Sequence, residues 1–130
     1  MSACVIDSSA VMAFLNREPG EPAVSDWLDR GAAASALILQ EVMSNLVRLG
    51  LEREAALEAV AGLGLKIHDL TEPLALEAGA IALIAKPFGL SHGDRACLAL
   101  ARQLGLPAVT ADRAWADAAE AIKVEVVIIR

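Results

Sequence analysis

The chain has 130 residues, 56% hydrophobic and 22% charged, a balance that fits one globular domain over 1–130 and excludes a disordered chain. Its net charge of −6 argues against a general nucleic-acid binder, and 3% aromatics with no tyrosine argue against base stacking on aromatic platforms. No apolar run approaches the ~18 residues that span a bilayer; the segment around Asp7 lacks the basic start of a secretory signal, and Cys4 and Cys97 are isolated in apolar settings, so a cytoplasmic protein with reduced thiols is expected.

In chain order, Cys4–Ile6 reads as a buried strand and Ser9–Asn16 as a helix, with Arg17–Gly20 a turn. Pro22–Arg30 reads as a helix with proline near its first position. Ala36–Leu39 reads as a short strand, followed by helices at Gln40–Leu49, closed by Gly50, and Glu52–Gly62. Lys66–His68 is a strand, Pro73–Ala85 a helix ended by Lys86-Pro87, and Asp94–Leu104 a helix capped by Gly105. Ala108–Thr110 is a strand, Asp112–Ala121 a helix and Val124–Ile129 a closing strand. Strands separated by helices predict an α/β fold, with a parallel sheet covered on both faces.

Ligands of such sheets bind beyond the carboxyl ends of the strands. Asp7 follows the first strand directly, Glu41 follows Ala36–Leu39 by two residues, and Asp112 follows Ala108–Thr110 by two. Asp94 opens its own helix after Ser91-His92-Gly93. Each acid has a structural explanation. Ser91 and Asp94 match a capping box, Asp7 and Asp112 suit N-caps, and Glu41 suits a positive helix end. Together, however, four acids at one edge repel one another, and hard divalent cations such as Mg2+ or Mn2+ relieve that repulsion. A metal ion with Asp94 as co-ligand is therefore the expected compensation for Asp7.

The stretches VIDSSAVMAFLNREPG, ALILQEVMSNLVRLG and LSHGDRACLALARQLGLPAVTADRAW, with the apolar strand that closes the chain, resemble the PIN-domain ribonucleases, and more narrowly the VapC-type toxins of bacterial toxin–antitoxin pairs. The resemblance implies a three-layer α/β/α fold and an endoribonuclease dependent on Mg2+ or Mn2+. By the same resemblance Asp7, Glu41, Asp94 and Asp112 match the family's four acids in order, and Thr110 matches a supporting position. Asp7 and Asp94 would hold the principal ion, while Glu41 or Asp112 would orient or deprotonate the attacking water. Ser8 and Asn45 are further supporting candidates, and Arg48, Arg95 and Arg113 are candidate RNA contacts, with Arg102 considered beside them. Asn45 and Arg48 share a helix face with Glu41, which is equally a plain solvent face. His92 stands where an apolar residue is expected, either facing water or touching substrate.

Trp27 is expected in the core or a partner groove, and Trp115 packed against the sheet. The apolar helices, notably Ala55–Val60 and Leu74–Ala85, suggest surface left over for partners. A homodimer is expected, and the resemblance adds a cognate antitoxin and an RNA substrate. The rival readings are a catalytically silent PIN-like binding or regulatory module and an aspartate-nucleophile phosphotransferase. The latter commonly has a second Asp where this chain has Ser9. A nucleotide-binding α/β domain lacks its glycine-rich loop here.

Overall fold

Three consecutive residues with no exposed surface, Cys4, Val5 and Ile6, form β1 at the centre of the sheet in a computed structural model that describes residues 1–130. The other strands are β2 (Ala32–Ser35), β3 (Lys66–His68), β4 (Ala108–Thr110) and β5 (Val126–Ile128), in the order β3-β2-β1-β4-β5. All pairings are parallel; Val5 stands between Ala33 of β2 and Ala108 of β4. The chain builds outward from β1 through β2 to β3, then returns to the other side of β1 for β4 and β5. That reversal leaves a crevice between the carboxyl ends of β1 and β4, where Asp7 and Thr110 lie.

The helices are α1 (Ser8–Leu15), α2 (Glu21–Arg30), α3 (Ala36–Arg48), α4 (Arg53–Ala61), α5 (Glu72–Ala80), α6 (Ala82–Ala85), α7 (His92–Leu104) and α8 (Ala114–Ile122). Right-handed crossovers put α1–α4 on one face of the sheet and α5–α8 on the other, giving the expected three-layer α/β/α arrangement. Helix α7 packs on β1, β2 and β4 and is buried from Ala96 through Ala101.

The second strand lies earlier than expected. Ala36–Leu39 is not a strand but the first turn of α3, and β2 is the Ala-Ala-Ala-Ser segment before it. Alanine's helix propensity masks this strand, but a central strand buried on both faces needs small side chains where helices approach closely. Ser35 marks the boundary, its hydroxyl accepting from Leu37 N–H. The expected helix Pro73–Ala85 is also divided, with Ile81 between α5 and α6 off helical geometry (φ −86°, ψ 7°). Ile81 and Ala85 turn inward while Leu83 stays 85% exposed.

Trp115 is fully buried, as is Cys4, and both cysteines are free thiols. Trp27 packs on the core edge with the Arg30 guanidinium 4.2 Å from its ring centre, a cation–π contact. Apolar surplus shows at Leu57 on α4, at Leu76 on α5 and at Leu83. No helix is long and apolar enough to cross a membrane.

Candidate functional site

Asp7 sits where β1 becomes α1, 2% exposed. Protein donors compensate it directly. Its Oδ1 accepts Ala10 N–H at 2.9 Å as an N-cap, and its Oδ2 accepts the Thr110 hydroxyl at 2.6 Å. The Ser9 hydroxyl lies 2.8 and 2.9 Å from the two oxygens. Ser9 and Thr110 are themselves fixed, for Ala111 N–H donates to Ser9 Oγ and Asp112 N–H to Thr110 Oγ1, both at 3.0 Å. The N-cap expected of Asp7 is thus present, and these donors stand beside any metal ion in answering its burial. Even so, burial outweighs these bonds and pushes the carboxyl up to about 6, with the Asp94 charge adding to the rise.

The serine that supports Asp7 is Ser9, not Ser8. A residue two after an Asp N-cap turns its hydroxyl back toward the cap, and the Asp7-Ser8-Ser9 spacing was the signal for it. Ser8 lies instead beside Glu41, where its hydroxyl offsets part of the rise in that carboxyl's pKa.

Because α3 begins at Ala36, Glu41 is in the second turn of the helix, not just past a strand. It is too far along to profit from the helix's positive end, which removes the dipole explanation for this acid. Its carboxylate rests against Gly93 of α7, where a Cβ would lie 2.6 Å from Cδ and 2.7 Å from Oε2. The glycine is thus what admits the acid. Glu41 Oε1 is buried without a hydrogen-bond partner. Burial first, then the Asp94 charge, raises its pKa.

Asp94 completes the expected capping box. Its backbone N–H donates to Ser91 Oγ at 3.2 Å, and its Oδ2 accepts Ser91 N–H at 2.9 Å. No protein donor meets its Oδ1. Burial raises Asp94, and the Asp112 charge adds to that against the Ser91 bonds. Asp94 is the hub of the cluster, since its charge lifts Asp7 and Glu41 while Asp112 lifts it in turn. Asp112 is exposed, its Oδ1 accepting Ala114 N–H at 3.0 Å as an Asx turn into α8. One turn beyond Asp94, fully buried Cys97 has its pKa pushed well up by burial and then by Asp7 and Asp94, so it stays a neutral thiol.

The remaining candidates divide by position. Arg95 reaches α5, its Nη1 3.4 Å from Ala78 O. Arg113 donates from Nε to Arg130 O at 3.0 Å. Asn45 accepts from exposed Arg48 at 3.4 Å and makes no bond to a carboxylate. Arg102 is bound to Glu77 at 3.2 Å and to Ile122 O, near the end of α7 away from the acids. His92, exposed, is the first residue of α7 rather than a loop residue.

No three Asp, Glu, His or Cys side chains stand together in the geometry that grips one ion. The donor set still fits a hard divalent cation. It is all carboxylate oxygen, one buried oxygen lacks any donor, a second meets none, and a glycine next to Asp94 leaves the room that the Glu41 carboxylate occupies. Asp7, Glu41, Asp94 and Asp112 are the residues that could hold it.

The sequence pattern of the PIN domain matches residues 4–121. The chain belongs to the PIN domain family. No curated protein matches the sequence. Among solved structures, the chain is similar to DNA-bound VapBC from Salmonella typhimurium (19% identity, 100% of both chains, TM-score 0.73). It is also similar to FitAcB from Neisseria gonorrhoeae, with 24% identity, 97% of both chains and a TM-score of 0.67. A third is VapC20 of Mycobacterium tuberculosis, described as a sarcin–ricin-loop-cleaving toxin, with 18% identity, 88% of this chain, 94% of that chain and a TM-score of 0.70. At these identities the likeness speaks for the fold.

Proposed function

We propose that this chain is a divalent-metal-dependent endoribonuclease of the VapC type, the toxin of a toxin–antitoxin pair. The observation that carries the reading is the partnerless, buried Glu41 Oε1 in a cradle kept open by Gly93 beside Asp94. A buried carboxylate oxygen without a donor is costly unless something positive meets it. Asp7 and Asp94 hold the principal Mg2+ or Mn2+, and Glu41 and Asp112 complete the acidic shell. The ion supplies phosphate neutralisation and water activation when bound.

The chain's own residues do the rest. Ser9, Thr110 and Ala10 N–H fix Asp7 in one orientation, so its carboxylate needs little rearrangement on binding. Ser91 fixes Asp94 in the same way. Glu41, with its raised pKa, is suited to take a proton from the attacking water. Arg95 at the α5–α7 seam is an RNA contact, and Arg113, with Arg48 further out, meets backbone phosphates and offsets the net negative charge. A similar structure from Klebsiella pneumoniae, named a toxin–antitoxin complex, supports a cognate antitoxin as partner. The exposed leucines of α4 to α6 support a homodimer. The test is cleavage of cellular RNA by the purified protein with Mg2+, Mn2+ or EDTA, beside Asp94→Asn. Metal-dependent fragments absent from the variant support the nuclease. A folded, metal-binding but inert protein favours the silent module.

A further inference from the structure

A cavity of about 200 Å³ opens between α3, α5 and α7, two of which, α3 and α7, carry Glu41 and Asp94. Leu37, Leu70, Ala78 and Gly79 form its apolar wall, and His92 and Arg95 stand at its polar side. The acids do not line it, but it lies within a helical turn of two of them along the chain. Leu37 is one helical turn before Glu41 on α3, and His92 and Arg95 bracket Asp94 on α7. The volume is below the ~300 Å³ at which sites for drug-sized ligands begin, so it takes one flat ring system rather than a peptide segment.

We propose that this cavity, resting on the ribonuclease reading, seats the nucleobase next to the scissile phosphate and selects guanine. Single-stranded RNA is read by enclosing a splayed base and hydrogen-bonding its edges. With no aromatic residue in the lining, enclosure here is aliphatic. The polar side offers donors. Arg95 Nη1 is held by Ala78 O, which fixes the plane of the guanidinium and leaves Nε and Nη2 without an acceptor. Guanine presents two adjacent acceptors, O6 and N7, to such a fork, while adenine sets a donor beside an acceptor. Leu70, 39% exposed at the rim, gains cover when the base enters.

Gly79 supplies the test. It is helical and lines the cavity, and a Cβ there meets no atom within 4 Å, so Gly79→Leu adds bulk at the cavity without a clash at its Cβ. Single-stranded RNAs randomised around one cleavage position are cut by wild type, Gly79→Leu and Arg95→Ala in Mn2+, and kcat/KM is resolved by flanking base. Wild type is expected to favour guanine at one flanking position by roughly tenfold, within the range a bidentate pair gives. Both variants are expected to bring that ratio below about twofold while melting like wild type. A guanine preference that survives both variants, a preference for another base, or none in wild type overturns the proposal while leaving the nuclease standing. Unchanged RNA preference with altered self-association of Gly79→Leu assigns the cavity to a protein contact instead. Absence of any cleavage that Asp94→Asn removes overturns both readings together.

Discussion

Gly93→Ala separates the acid site from the fold. The added methyl would lie 2.6 Å from Glu41 Cδ and 2.7 Å from Oε2. Carbon contacts relax at about 3.5–4.0 Å, so the carboxylate must retreat by roughly 1 Å. It is the end of a flexible side chain and can do so without moving backbone. Gly93 is helical with no left-handed φ, so alanine suits it and contributes about 0.5–1 kcal/mol relative to glycine. The variant should melt at or slightly above the wild-type temperature. A misplacement of about 1 Å at a reacting centre costs around 10²-fold in rate. The assay is kcat/KM on a fluorogenic RNA in Mn2+, paired with a calorimetric melt. In a Glu41→Gln background the Gly93→Ala penalty should disappear, because both changes act through one carboxylate. Activity within twofold of wild type would refute the reasoning, as would a fall in melting temperature, which would make Gly93 a packing residue only.

Asp94→Asn should abolish metal-dependent cleavage yet melt no lower than wild type without metal, because it removes the charge that raises Asp7 and Glu41; loss of the folded circular dichroism spectrum would count against this. The rise of Asp7 from 3.8 to about 6 means the folded state holds its proton more tightly than the unfolded chain. Its stabilising effect is therefore present below about pH 4 and lost as pH climbs through about 6, by roughly 3 kcal/mol. Urea titrations of metal-free protein across that window should show the slope, and Asp7→Asn should flatten it. Thr110→Val leaves Asp7 Oδ2 and Asp112 N–H short of a partner and should cost about 1–3 kcal/mol, read from the shift in urea midpoint. Mn2+ at about 100 times its Kd should add about 2.7 kcal/mol to wild type and nothing to Asp94→Asn, measured by thermal melts.

Where local chemistry and tertiary need agree, the sequence is legible. Cys4–Ile6 is apolar because it is buried on both faces, and Ser91 with Asp94 caps α7 whatever else the acid does. The reading slips where they diverge. Ala32–Ala34 has helix-forming side chains, but close helix packing makes it a strand. A strand at Ala36–Leu39 puts Glu41 at a strand end, whereas the fold has it in the second turn of α3. Ser8 and Ser9 are not told apart by sequence, because the choice depends on which hydroxyl turns back to the N-cap. Gly93 reads as a small residue before an acid; only α3 lying against α7 shows that the space it leaves belongs to Glu41. The break at Ile81 left no mark in an apolar stretch where either continuation buries leucine and alanine.

The hydrogen bond from Thr110 to Asp7 joins residues 103 positions apart. It therefore carries a consequence for timing. As the chain leaves the ribosome, β1 and α1 emerge early, but Asp7 has only the local donors Ala10 and Ser9 until β4 has emerged and docked beside β1. Glu41 likewise waits for Gly93 and Asp94. The acid cluster is thus completed near the end of synthesis, since long-range closure must precede it. A chain truncated before Ala108 would carry three of the four acids yet have no ordered centre.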